Sequence, residues 1–156
     1  MPGMGQKSAE LLERLIQDER NASVYYKYLS ENAPSAGYQE TLTGVAKDCE
    51  ERCLGYQQIL QSLYARSFEP KETPVTTTVG FDRGIEIAVS EERKILESMA
   101  ELLDEIEEIE EIEHLKGRAS ARAMQNLINK RMIRLSWLQW TMYQMRSQPV
   151  SGSETI

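Results

Sequence analysis

Residues 85–106 read IEIAVSEERKILESMAELLDEI, and the spacing of their apolar side chains decides the fold. Ile85, Val89, Leu96, Met99, Leu103 and Ile106 recur at intervals of three, four and seven positions, the period that lines one face of an α-helix. Glu92 falls on that same face, midway between Ile85 and Met99. An ionised carboxylate inside such a stripe is costly to bury unless a cation or a metal answers it.

Three other segments carry the same signature. Glu19 shares a face with Leu12, Ile16, Ser23 and Tyr26. Arg131 lies among Met124, Leu127, Ile128, Leu135, Leu138 and Met142, with Arg134 one turn on. Glu50 and Cys53 flank a stripe of Leu42, Ala46, Cys49, Tyr56, Leu60 and Leu63. A single charge can snorkel out at the margin of a wide stripe. Charges of both signs at mid-length on four helices instead predict mutual pairing inside a bundle.

Punctuation divides the chain into helices over 7–32, 37–65, 81–108 and 118–147. Pro34 and Gly37 mark the first turn. The segment FEPKETPVTTTVG, residues 68–80, holds two prolines and cannot continue a helix. Gly117 marks the third break. The boundary between 106 and 119 is the least defined, because the isoleucines of EIEEIEEIE recur every third residue and drift around a helix. Two short turns flanking one long connector predict an all-α four-helix bundle of two hairpins joined by a crossover. It forms one domain over residues 1–147, followed by a polar, disordered tail over 148–156.

At 156 residues the chain has enough length to build a core without a disulfide or a structural metal. Cys49 and Cys53, four apart on a helix, are poorly placed for a disulfide and are expected to behave as small buried hydrophobes. No apolar run reaches the roughly 18 residues of a membrane span. The polar start MPGMGQKSAELLERL does not read as a signal peptide, so a cytoplasmic location is expected. The net charge of −7 is concentrated in residues 101–113, which hold eight acids and no base. The stretch after it, Lys116 to Arg134, is basic and compensates. No basic stripe is interleaved with aromatics, which argues against a nucleic-acid partner. His114 is expected at the surface, and Trp137 and Trp140 as core or self-association contacts, with a homodimer favoured.

The two halves also resemble each other. Asp18-Glu19-Arg20 matches Glu91-Glu92-Arg93 at the same helical phase, and Glu50 and Cys53 then correspond to Arg131 and Arg134. With Glu19 followed seven positions on by Tyr26, the chain resembles the ferritin and rubrerythrin superfamily over nearly its whole length. Those bundles hold two iron or manganese ions with one glutamate from each of two helices and a Glu-x-x-His motif from each of the others. The resemblance implies a ferritin-like fold with its metal positions at Glu19, Glu50, Cys53, Glu92, Arg131 and Arg134, beside Tyr26.

At the Glu-x-x-His positions the chain offers Glu50-x-x-Cys53 and Arg131-x-x-Arg134. Guanidinium has no lone pair to donate and repels a divalent ion. The expectation is therefore a cofactor-free network of Glu19, Tyr26, Glu50, Cys53, Glu92, Arg131 and Arg134. Three carboxylates against two arginines would leave one negative charge for a proton or a small cation. The function expected is structural, partner-binding or regulatory. The alternative is an oxidoreductase holding iron or manganese with Glu19, Glu50, Glu92 and Cys53 for ferroxidase or peroxide chemistry, which needs both arginines turned away. Thiol chemistry at Cys49 and Cys53 is a third possibility.

Overall fold

Amphipathic stripes of 3.6-residue period must find one another, and here they do so as four antiparallel neighbours. The computed structural model describes residues 2–72, 74–75, 79–110 and 114–147. Its elements are α1 (Pro2–Glu31), α2 (Ala36–Tyr64), α3 (Phe81–Glu110) and α4 (His114–Ser147). Among the described residues there is no strand. α1 packs on α2 and α3 on α4 as two hairpins, α1 also meets α3, and α2 meets α4. The pairs α1/α4 and α2/α3 stand across the diagonals.

Local chemistry sets the ends. Ser35 caps α2 in an extended conformation, its hydroxyl accepting from the Tyr38 N–H, which satisfies one of the amides that a helix start leaves unpaired. α2 closes on Ala65, whose N–H donates to the Gln61 carbonyl and whose left-handed backbone (φ 51°) then turns the chain out of the helix. α4 already begins at His114, so the change of element falls ahead of Gly117, which lies inside α4. The expected break at Gly117 is thus displaced: a lone glycine weakens a helix by about 1 kcal/mol without ending it. The tail expected over 148–156 and the side chain of His114 lie outside the described residues.

The described residues of the connector, 66–72, 74–75 and 79, lie on the outside of the bundle alongside α1. Arg66 pairs with Glu13 at 2.8 Å, and the Gln17 side chain both donates to the Lys71 carbonyl and accepts from the Lys71 N–H. Higher up, Arg20 pairs with Glu72 and the Tyr28 hydroxyl donates to the Val79 carbonyl. The 29 residues of α2 rise about 43 Å at 1.5 Å each. A return of that height in so few residues requires nearly extended chain at about 3.3 Å per residue, as the prolines foretell. α3 therefore runs down beside α1: Tyr25 reaches Gly84 near the start of α3, and Lys7 reaches Glu101 and Glu105 near its end.

The interior is two apolar clusters separated by a charged layer. One gathers Leu12, Leu15 and Ile16 with Tyr56, Leu60, Met99, Leu102 and Met124. The other gathers Tyr26, Leu29, Leu42 and Val45 with Ile85, Val89 and Leu138. Between them lie Glu19, Arg52, Glu92 and Arg131, each at most 2% exposed.

Candidate functional site

Each helix contributes one member of this layer. α1 supplies Glu19, α2 Arg52, α3 Glu92 and α4 Arg131. Arg131 stands between the two carboxylates, with Nη2 against Glu19 Oε1 and Nε 2.9 Å from Glu92 Oε2. Arg52 Nε donates to both oxygens of Glu19 at 3.2 Å, and its Nη2 donates to Cys49 Sγ at 3.3 Å. The Tyr26 hydroxyl donates to Glu92 Oε1 at 2.8 Å.

Two cations and two anions leave no formal charge over. Burial opposes the charge on Arg131, but Glu19 and Glu92 more than offset it and hold its pKa above the ordinary arginine value. Arg52 is raised in the same way, burial opposing and Glu19 prevailing. Burial, reinforced by Glu92, pushes the Tyr26 hydroxyl well above the usual phenol range. Hydrogen-bond alignment is poorer than the charge balance. Arg131 meets its carboxylates in ion-pair contact without good hydrogen-bond geometry, and Arg52 Nη1, Arg131 Nη1 and the Tyr56 hydroxyl find no hydrogen-bond partner among the described residues. Removing four charged groups from water is costly, and the ion pairs among them offset that cost.

Five of the residues expected at the centre are buried there or beside it: Glu19, Tyr26, Glu92, Arg131 and Cys53. Cys53 does not join the ion pairs, since its thiol faces the Ile16 carbonyl at 3.7 Å. Glu50 and Arg134 are corrections. Glu50 is about half exposed, pairs with Lys27 at 2.9 Å and accepts from the Ser23 hydroxyl. The Lys27 contact holds its carboxyl below the usual range. Arg134 turns into the α2/α4 groove and pairs with Asp48, both 30% exposed. With Glu50 outside and Arg52 inside, the surplus negative charge expected for a proton or small cation disappears.

Arg52 escaped the sequence reading although a signal existed. It is three residues after Cys49 and four before Tyr56, squarely on the buried stripe. Glu50 follows Cys49 directly, about 100° around the helix.

The residues present do not fit a metal. Among the described residues no group of three or more His, Cys, Asp or Glu side chains is placed to hold an ion. The two buried carboxylates are instead occupied by guanidinium groups, which offer no lone pair. The cysteines are free and buried. Burial, then the charge of Glu19, raises the pKa of both thiols, so neither is poised as a thiolate. No helix among the described residues is long and apolar enough to cross a membrane. Comparison with family models, with curated proteins and with solved structures gave no match to this chain.

Proposed function

We propose that this protein is a ferritin-like bundle in which an ion-pair network stands where a di-metal centre would be, and that it serves a structural, partner-binding or regulatory role. The observation that carries this reading is Arg131, wholly buried and in contact with both Glu19 and Glu92. Two hairpins whose long crossover makes α3 run antiparallel to α1 also support it, because ferritin-like bundles use one such connection. Metal-dependent oxidoreductase chemistry would need Glu19, Glu50 and Glu92 to converge and Arg131 to turn away. Self-association belongs to the same proposal: Met132, Ile133, Trp140 and Tyr143 of α4 expose an apolar strip suited to a homodimer. Two free cysteines suit a reducing, cytoplasmic setting.

The test is elemental analysis of protein purified after growth with iron, manganese and zinc. Less than stoichiometric metal is expected. A stoichiometric ion that is lost on Glu19→Ala or Glu92→Ala overturns the reading. Cys49→Glu, Arg52→His, Arg131→Glu and Arg134→His together place Glu-x-x-His on the inward stripes of α2 and α4, and this variant is expected to gain metal binding.

A further inference from the structure

The two hairpins meet less closely than the helices within each hairpin, and the seam between α1 and α3 opens into a cleft of about 410 Å³. At the top the helices converge at Gly84, where an added Cβ would lie 2.5 Å from Leu29 Cδ2, and the Tyr25 hydroxyl donates to the Gly84 carbonyl. Below that point the small side chains of Ala22 and Ala88 leave the gap unfilled, and Pro74, Val75 and Val79 of the connector wall it. A volume of this size is typical of small-molecule sites.

Its lining is chemically one-sided. Asp18, Glu91 and Glu92 all border the cleft, and among the described residues no lysine or arginine does. Glu92 is engaged from within by Arg131 and Tyr26. Glu91 has only an exposed contact with Lys94 at 3.4 Å. The carboxylate of Asp18, half-buried, makes no ion pair or hydrogen bond among the described residues. Burial raises its pKa; the charges of Arg14 and Arg131 draw it part of the way back, and the nearby Glu91 adds to the rise. The approximate equivalence of α1 and α3 sets Asp18 and Glu91, paired positions in the two halves, on opposite walls of one seam. The hydroxyls of Tyr25 and Tyr26 are committed to Gly84 and Glu92, so what they offer a ligand is aromatic surface.

We infer that this cleft binds an organic cation, a protonated amine with an apolar body, its ammonium held between Asp18 and Glu91 and its body against Ala22, Val75, Ile87 and Ile95. Carboxylates supply charge-assisted hydrogen bonds, and the tyrosine rings favour a cation over their faces. A bare metal ion would leave the apolar walls unused. The inference goes beyond the reading of the charged layer and does not rest on it: metal found at Glu19 and Glu92 would leave the cleft reading standing, and failure of amine binding would leave the ion pairs untouched.

The experiment is an NMR titration of the labelled full chain with phenethylamine at neutral pH, with phenethyl alcohol and magnesium chloride as parallel probes. Saturable shifts confined to the amides around Asp18, Ala22, Ala88 and Ile95 are expected for the amine, with the alcohol binding at least about tenfold more weakly. Asp18→Asn is expected to weaken the amine about tenfold and leave the alcohol unchanged. Ala22→Phe, which fills the cleft, is expected to abolish both, with circular dichroism reporting the fold. Equal binding of amine and alcohol, equal shifts with magnesium chloride alone, an unchanged amine affinity in Asp18→Asn, or no saturable shift at all overturns the inference.

Discussion

The first hairpin keeps its inner cation on the second residue of an i, i+3 pair, and the second hairpin keeps it on the first. Burial aligns the halves as Leu42 with Met124, Ala46 with Ile128, Cys49 with Arg131, Tyr56 with Leu138 and Ile59 with Thr141. The matched inner pairs are therefore Cys49 and Arg52 on α2, and Arg131 and Arg134 on α4. Three of these four positions are arginine, yet only Arg52 and Arg131 are buried, while Arg134 leaves for Asp48. The layer holds two carboxylates, Glu19 and Glu92, and a third buried guanidinium would lack a counter-charge. Burying an unpaired ion costs several kcal/mol, whereas a partly exposed pair such as Arg134 with Asp48 costs far less. Charge balance decides which equivalent position turns inward.

That comparison is most sharply broken by removing one arginine at a time. Arg131→Ala leaves parts of both Glu19 and Glu92 unanswered and is expected to destabilise by about 3 to 5 kcal/mol in urea unfolding. Arg52→Ala is expected to cost less, about 2 to 4 kcal/mol, because Arg131 still faces Glu19. Its counterpart Arg134→Ala should cost no more than about 1 kcal/mol and respond to salt. Equal losses at Arg52 and Arg134 would mean that the halves are equivalent after all.

A smaller asymmetry lies at Tyr26, whose counterpart in the second half is Met99. Tyr26→Phe removes the donor to Glu92 Oε1 without emptying the space, and about 1 to 2 kcal/mol of lost stability is expected. The smallest effect concerns Asp18 and runs the other way. A carboxyl whose folded pKa lies above its unfolded value binds its proton more tightly when folded, so stability falls as pH rises through that interval. Asp18→Asn should therefore raise the melting temperature slightly at neutral pH, and the gain should vanish below the unfolded pKa near 3.9. A gain that persists in acid would remove burial of the charge as its cause. Stabilisation of the free fold together with weaker amine binding would mark Asp18 as a residue held for a ligand.

Much of this was legible in the chain. The stripes through Glu19, Glu92 and Arg131 were read in the right phase, since an apolar period of 3.6 with one charge in it leaves that charge no other face. The connector was legible because Pro70 and Pro74 forbid a helix. On α2 the inner pair is Cys49 and Arg52, one position before the expected Glu50 and Cys53, because all four lie near the stripe and a Glu-x-x-Cys spacing alone does not fix which of them faces inward. The start of α4 falls at His114, ahead of the expected 118, because Gly117 is only a weak breaker.

The sequence by itself determined that there would be four helices, two hairpins, one long return and charge of both signs at mid-height, because periodicity and breakers act locally. Only the tertiary structure decided which charges are buried. Arg52 rather than Glu50 turns inward, and Arg131 rather than Arg134, because the choice depends on neutralising Glu19 and Glu92 by side chains from all four helices at once. The cleft between α1 and α3 was likewise invisible in the chain, since it opens between Ala22 and Ala88 beneath the close approach at Gly84, and no single helix contains both walls.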